Sequence, residues 1–328
     1  MTDTTLSARD AAAARPLWHV VLVRPESMTL VLLILGVFVA SLLSPYFLDV
    51  AYILDSFTLY AEFAMVALVL TMVIIAGEID LSPAANMALS AALFAWAAAS
   101  GVPLPLAIAI GIGAGLLMGL VNVIFVIGFQ IPSIIVTIGT LTLYRGLAQV
   151  LAGDKSIRVP DYFIGVNKVM VLGLPLPVLV FILLAIVLGL VLGVTAFGRQ
   201  IYLIGTSENA ARYAGIRSMR IKAILFMLVG LMSAIAGIMT ASRLGSVRYD
   251  LGLGGELQMV LMAMLGGTYI FGGRGTIWGT FLAAWLLVIV STGMTVANLL
   301  PAIQLTVLGV LLIVAIIATN FIYSRTQR

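Results

Sequence analysis

Residues 103–128 read Pro-Leu-Pro-Leu-Ala-Ile-Ala-Ile-Gly-Ile-Gly-Ala-Gly-Leu-Leu-Met-Gly-Leu-Val-Asn-Val-Ile-Phe-Val-Ile-Gly, a run without a single charge. As a helix rising 1.5 Å per residue, it covers the roughly 30 Å hydrocarbon core of a bilayer. Lipid offers no partner for backbone N–H and C=O groups, and a helix satisfies them within itself. The stretch is therefore read as a transmembrane helix. Gly111, Gly115 and Gly119 recur every fourth residue, with Gly113 nearby, and open a groove in which a second helix can approach closely. Asn122 and the nearby Gln130 each need one interhelical hydrogen bond.

The same ruler applied outward gives ten candidate spans: 28–44, 56–76, 83–100, 103–128, 131–151, 174–196, 222–242, 255–272, 276–298 and 301–321, several of them short or interrupted. With 62% hydrophobic and 9% charged residues in 328, the composition lies far from the soluble norm of roughly a quarter charged. The expected fold is an all-α polytopic membrane protein of about ten helices. It divides into an N-terminal segment 1–27, a transmembrane domain 28–321 and a tail 322–328. The chain has no cysteine and one histidine, His19, in the N-terminal polar segment, which excludes thiolate metal sites, His-based metal sites and catalytic triads. The first residues, polar and acidic as well as basic, do not read as a cleavable signal.

Ten crossings put both termini and the even-numbered connections on one side. Arg9, Arg15, Arg24, Arg199, Arg212, Arg217, Arg220, Lys222, Arg274, Arg325 and Arg328 fall there, against Arg145, Lys155, Arg158, Lys168, Arg243 and Arg248 opposite. Eleven against six predicts cytoplasmic termini. The net charge of +4 is thus a matter of membrane orientation and not of nucleic-acid binding.

The outward connection after the first span carries Asp49 and Asp55. Glu62, in the second span, faces a bundle interior, a polar cavity or the outer interface, because a carboxylate is expensive in hydrocarbon. Residues 76–90, Ala-Gly-Glu-Ile-Asp-Leu-Ser-Pro-Ala-Ala-Asn-Met-Ala-Leu-Ser, concentrate Glu78, Asp80, Ser82 and Asn86 between two spans, where Gly77 and Pro83 interrupt helicity. Asp80 or Ser82 is placed to cap the helix beginning at Pro83. A capped cytoplasmic turn and a broken helix beside a solute path both use these residues. In the fifth span Ser133, Thr137, Thr140 and Tyr144 form a hydroxyl stripe, suited to lining a path for a polyhydroxylated solute or to interhelical hydrogen bonding. Arg145 follows, able to snorkel or to pair with Asp154 or Asp161.

Residues 152–173 and 243–256 are polar outward connections; the size of the first suits docking of a periplasmic partner and equally an ordinary solvated loop. Residues 265–280 hold glycines at 266, 267, 272, 273, 275 and 279. No Gly-Lys-Ser or Gly-Lys-Thr follows, so the run is read as closely packed or broken helix near a moving interface and not as a nucleotide loop.

The longest charge-rich stretch is 197–222. Within it Ser207 is placed to cap a two-turn helix, Glu208 sits in the first turn, and Gly215 supplies a left-handed stop. Ala210, Tyr213 and Ala214 share one side; Glu208 and Arg212 pair on the other. A small docking face results, with an ordinary solvated loop as the alternative.

Together these motifs resemble the permease subunits of bacterial ABC importers for ribose-, rhamnose- and autoinducer-type monosaccharides. The matching pieces are Gly-Glu-Ile-Asp-Leu-Ser (77–82), Ile-Val-Thr-Ile-Gly-Thr-Leu with Tyr-Arg-Gly (135–146), Phe-Gly-Arg (197–199), Gly-Thr-Ser-Glu-Asn-Ala-Ala-Arg-Tyr-Ala-Gly-Ile (205–216), and Leu-Gly-Gly-Thr with Gly-Gly-Arg-Gly-Thr and Gly-Thr (265–280). The run 80–89 is similar to the rhamnose and autoinducer branches, and Glu78 stands where many relatives carry Gly.

The resemblance implies a non-enzymatic subunit of the bacterial inner membrane, working as a homodimer or paired with a homologous permease. It also implies a cytoplasmic ATP-binding subunit that carries ATP and Mg, and a periplasmic binding protein that delivers the sugar. No cofactor or metal is expected in this chain. Gly205, Ser207, Glu208, Asn209, Ala210, Arg212, Tyr213 and Gly215 are the expected ATPase-coupling residues. Glu78, Asp80, Ser82, Asn86, Thr137 and Thr140 are the expected pathway or gate. An ion-coupled secondary transporter is the alternative; it needs a relay of buried carboxylates, for which Glu62, Glu78 and Asp80 are the candidates.

Overall fold

A computed structural model describes residues 25–43, 47, 49–153 and 155–326. The polar N-terminal segment with His19, residues 44–46 of the first outward connection, Asp154 and Arg328 lie outside them. The described residues form α1 (Pro25–Leu43), α2 (Val50–Thr58), α3 (Ala61–Ile75), α4 (Pro83–Ala99), α5 (Leu104–Val123), α6 (Ser133–Ala152), α7 (Leu176–Val194), α8 (Ala196–Thr206), α9 (Glu208–Tyr213), α10 (Ser218–Leu244), α11 (Gly255–Leu265), α12 (Ile277–Val296) and α13 (Pro301–Thr326).

The chain is an all-α polytopic membrane protein. Helices α5, prolonged to Gly128 by a π-helical turn, α6, α7, α10, α12 and α13 are each long and apolar enough to cross a bilayer. A seventh joins them if α2 and α3, bent by 69° at their junction, count as one. Helices α4 and α11 are shorter, as is the apolar stretch Glu26–Leu42 of α1. The span expected at 255–272 ends as helix at Leu265, because the glycines beyond it take left-handed or irregular backbone. The span expected from 222 starts four residues earlier, at Ser218, so Lys222 sits inside a helix.

Helix α3 is the axis of the bundle. Apart from Phe63 every residue of it is buried, and it packs against α10, α11, α7 and α12. A helix apolar on all sides either faces lipid or lies at the centre of a larger assembly, and burial by protein on every side selects the second. The opposite holds for α5, α6, α7 and α13, whose outward Leu, Ile and Val remain exposed in a belt suited to lipid. At the α2–α3 bend, Phe57 stacks on Trp285 and Phe181 with ring centroids 4.0 and 4.9 Å apart, which ties the bend to α12 and α7.

The small-residue groove of α5 receives α10. A Cβ on Gly119 would lie 2.9 Å from the Phe226 carbonyl oxygen, and one on Gly230 of α10 would come closer still to the Gly115 carbonyl oxygen. Two backbones meet there with no side chain between them.

Two ion pairs mark the ends of the antiparallel pair α3 and α10. At one end Arg243 Nε donates to Glu62 Oε1 over 2.9 Å; at the other Lys222 contacts Glu78 over 2.6 Å. Glu62 is thus spent on a bundle-internal pair. Nearby, Arg145 donates to the carbonyls of Tyr249 and Leu251 at 2.8 and 2.6 Å, not to Asp161, which pairs with Arg158. Those carbonyls belong to a loop with no partner strand to take them, and a guanidinium supplies several donors at once. The 152–173 connection also holds structure that no periodicity announced. Strand β1 (Ile157–Arg158) pairs antiparallel with β4 (Ser246–Val247), and β2 (Met170–Val171) forms a hairpin with β3 (Leu174–Pro175). Strands of two residues are too short to display an alternating pattern.

Candidate functional site

The charge-rich stretch folds at the Glu78–Lys222 end of the bundle. Thr195 caps α8 by accepting the Gly198 N–H, a helix the sequence reading did not separate from its loop. Ser207 then caps α9: its hydroxyl accepts the Ala210 N–H over 3.2 Å. Gly215, with φ of 77°, stops it. There the Ile216 N–H bonds to the Ala211 carbonyl and the Gly215 N–H to that of Arg212, the paired bonds of a Schellman stop.

Of α9 only Ala211 is buried. Asn209, Ala210, Arg212, Tyr213 and Ala214 face outward, and Tyr213 is 93% exposed. An aromatic ring so placed contributes almost nothing to this chain's own packing.

Beneath α9 the chain is tied down in two ways. The first is backbone on backbone. A Cβ on Gly205 would run into the Ile75 carbonyl oxygen and the Gly273 nitrogen, and one on Gly272 would meet Gly77 Cα at 2.8 Å. The Gly273 N–H donates to the Ile75 carbonyl over 2.8 Å, and the Tyr202 hydroxyl donates to the Gly275 carbonyl over 2.7 Å. The end of α3, the end of α8 and the glycine run therefore converge where no side chain fits. That is the role of the glycines at 272 and 273.

The second tie is ionic. Lys222 Nζ lies 2.8 Å from Glu208 Oε2 and 2.6 Å from Glu78 Oε1, with its side chain 12% exposed. Arg212, the partner expected for Glu208, stands at 3.8 Å on an exposed face, so Lys222 is the stronger contact. The hydrogen bond from Lys222 holds the Glu208 carboxyl below the usual glutamate range. Stability from a depressed carboxyl is present above its unfolded pKa and is lost as pH falls through the folded one, so near neutrality the tie is complete. A lone lysine four residues into an apolar helix was the available signal, but nothing local named its partners.

The 77–82 connection turns inward from this tie. Ser82 stands at the N-cap of α4, but its side chain makes no capping bond. Its hydroxyl donates to Asp80 Oδ1 over 2.7 Å and accepts from Asn122 Nδ2 over 2.9 Å, while its N–H donates to the same carboxylate oxygen over 2.8 Å. Tertiary partners outcompete the cap because Asp80, Ser82 and Asn122 are all buried and none can turn to water. Asn86 donates to the Gly115 carbonyl and accepts from the Ser90 hydroxyl. The hydroxyl stripe of α6 closes against this connection: Ser133 Oγ accepts the Ile79 N–H over 3.1 Å, and the Thr137 hydroxyl donates to the Ile79 carbonyl over 3.4 Å. Thr140, also buried, bonds back to Thr137. Within this chain, then, Asp80, Ser82, Asn86, Thr137 and Thr140 form one buried polar layer instead of an open lining.

Burial pushes the Asp80 carboxyl up to about 6 against the lowering effect of its bonds from Ser82. Unfolded, it ionises near 4, so stability falls as pH rises from about 4 to about 6 and stays reduced above. Asp80→Asn keeps an oxygen for both Ser82 donors and removes the charge. It is expected to stabilise the protein by about 2–3 kcal/mol at pH 8 and by little near pH 4. Thermal unfolding of the detergent-solubilised protein across that range checks it, and an equal gain at both ends contradicts it.

The family described as "Branched-chain amino acid transport system / permease component" matches residues 52–316. The chain is 33% identical over 302 residues to the autoinducer 2 import system permease protein LsrD of Enterobacter sp. (strain 638), an alignment covering 90% of this chain and 92% of that one. The protein of that name from Photorhabdus laumondii subsp. laumondii is 33% identical over 296 residues, with 88% and 89% covered. That of Escherichia coli (strain K12) is 33% identical over 303 residues, with 90% and 92% covered. No solved structure matches the chain.

Proposed function

This chain belongs to the branched-chain amino acid transport system / permease component family, and from that membership we propose that it forms the translocation pathway for an autoinducer 2-like or related monosaccharide in an ATP-driven importer of the bacterial inner membrane. It is a transport subunit and not an enzyme. A cytoplasmic ATPase holds the ATP and Mg, a periplasmic binding protein delivers the sugar, and a second permease, a copy or a homologue, completes the pathway.

In this reading all ten expected spans cross the membrane, and both termini face the cytoplasm. Antiparallel α3 and α10 support it, since their two ion pairs separate the Glu62 end from the Glu78 end, and the basic excess goes with the latter. The domain limits remain 1–27, 28–321 and 322–328, with 197–222 as the coupling segment. Gly205, Ser207, Glu208, Asn209, Ala210, Arg212, Tyr213 and Gly215 carry coupling. Asp80, Ser82, Asn86, Thr137 and Thr140, with Glu78 at its edge, act as a closed polar gate that opens when the ATPase pair moves α9.

The observation that carries the proposal is an almost fully exposed tyrosine on a six-residue helix that Lys222 ties to the connection following the central helix. A secondary transporter fits less well: of the three relay candidates, Glu62 and Glu78 are held in ion pairs, which leaves Asp80 alone. Purification with co-expressed neighbouring subunits should bring an ATPase along, and proteoliposomes of that complex with the binding protein should take up autoinducer 2, ribose or rhamnose only with ATP. Uptake by this chain alone without ATP overturns the proposal.

A further inference from the structure

Helix α9 has little to hold it. Its single buried residue is Ala211, and on its bundle side lies a cleft of about 350 Å³ lined by Glu78, Ile131, Ser133, Glu208, Arg212 and Lys222. A helix beside open volume can shift without compressing a packed core. At its N-terminal side, by contrast, Gly205 is pressed backbone to backbone against Ile75 and Gly273, a contact with no side chain to yield. Gly205 thus makes a stiff pivot, and α9 is a short arm extending from it.

Across the cleft wall a lysine ties the arm to the connection that follows α3. Lys222 Nζ contacts Glu208 of α9 at 2.8 Å and Glu78 of the 77–82 connection at 2.6 Å. Two residues after Glu78, Asp80 enters the buried layer with Ser82 and Asn122.

We infer that Lys222 is a positioning residue that gears the docking helix to the gate: its ammonium, shared between Glu208 and Glu78, carries displacement of α9 into the 77–82 connection. The inference rests on the reading of α9 as the ATPase docking helix and adds the link by which its motion reaches the polar layer. Because the two pairs act in series, loss of either half disconnects the arm. A like-sized effect from breaking Glu78 or Glu208 is the signature that local helix stability alone does not give.

The test uses the complete importer. The chain has no cysteine, so Leu81→Cys, beside Asp80 and half-buried, installs one thiol in this subunit. Labelling of this subunit by N-ethylmaleimide is followed with and without MgATP plus vanadate. In the Leu81→Cys background, the nucleotide state should change the labelling rate by about fivefold or more. Glu78→Gln, which lies off the docking helix, should remove that change while the ATPase still copurifies, and Glu208→Gln should remove it as well; each leaves Lys222 one carboxylate, so neither strands a buried charge. Lys222→Arg, which keeps a donor for both carboxylates, should retain it.

A nucleotide response that persists in Glu78→Gln overturns the gearing and leaves the importer reading intact. So does an unresponsive Leu81→Cys in a complex that still transports. Failure of any ATPase to copurify with the unaltered chain overturns the importer reading itself.

Discussion

Arg212→Ala combined with Tyr213→Ala is expected to leave the membrane bundle as stable as before and to abolish sugar-stimulated ATP turnover. Tyr213 is 93% exposed, and the ion pair Arg212 makes with Glu208 spans 3.8 Å on an exposed face. Surface substitutions of this kind change stability by no more than about 0.5 kcal/mol. At an interface the same two residue types are the usual anchors, worth about 2 kcal/mol or more each when truncated. The double substitution should therefore weaken the ATPase complex by roughly two to three orders of magnitude, against an unchanged melting temperature. Copurification and ATP turnover read the first quantity, and thermal unfolding reads the second. Unchanged affinity and turnover remove α9 from the interface.

Gly205→Ala is expected to have the opposite profile, failing in the bundle before any partner is met. The added Cβ is forced onto the Ile75 carbonyl oxygen and the Gly273 nitrogen, and both are backbone, so no side chain can swing aside. Separating the segments also endangers the Gly273 N–H bond to Ile75 and the neighbouring Tyr202 bond to Gly275. Losses above about 4 kcal/mol arise from such combined overpacking and broken hydrogen bonds, against a total stability of about 5–15 kcal/mol. The variant should accumulate poorly in membranes and melt far below the unaltered protein. Gly193→Ala is the matched control, because an added Cβ there meets nothing within 4 Å. It removes a helix-interior glycine and should be neutral or slightly stabilising. Equal behaviour of the two variants would dissolve the pivot.

Much of the architecture was legible in the chain because lipid enforces a local rule: each span satisfies its own backbone, so runs such as 103–128 announce themselves. The α5 glycines likewise stated that a helix approaches closely, although not that it is α10. The cap at Ser207 and the stop at Gly215 were readable for the same reason, being settled within a few residues of chain. Side-chain partners far apart in sequence were not. Sequence proximity offers Arg145 snorkelling or nearby acids, but it bonds carbonyls a hundred residues on; of the two cap candidates, Asp80 and Ser82, Ser82 turns to Asn122.

From residue order alone follow the membrane class, the longest apolar spans, the lack of cysteine and the polar knob at 205–216. Only the folded chain decided that α3 is central and not lipid-facing, that the 270s glycines seat Gly205, and that Lys222 holds Glu78 and Glu208 together. The physical reason is range. Hydrophobic length, capping and glycine stops act over one or two helical turns, whereas burial and charge pairing depend on which helices become neighbours, and nothing in a uniformly apolar run specifies that.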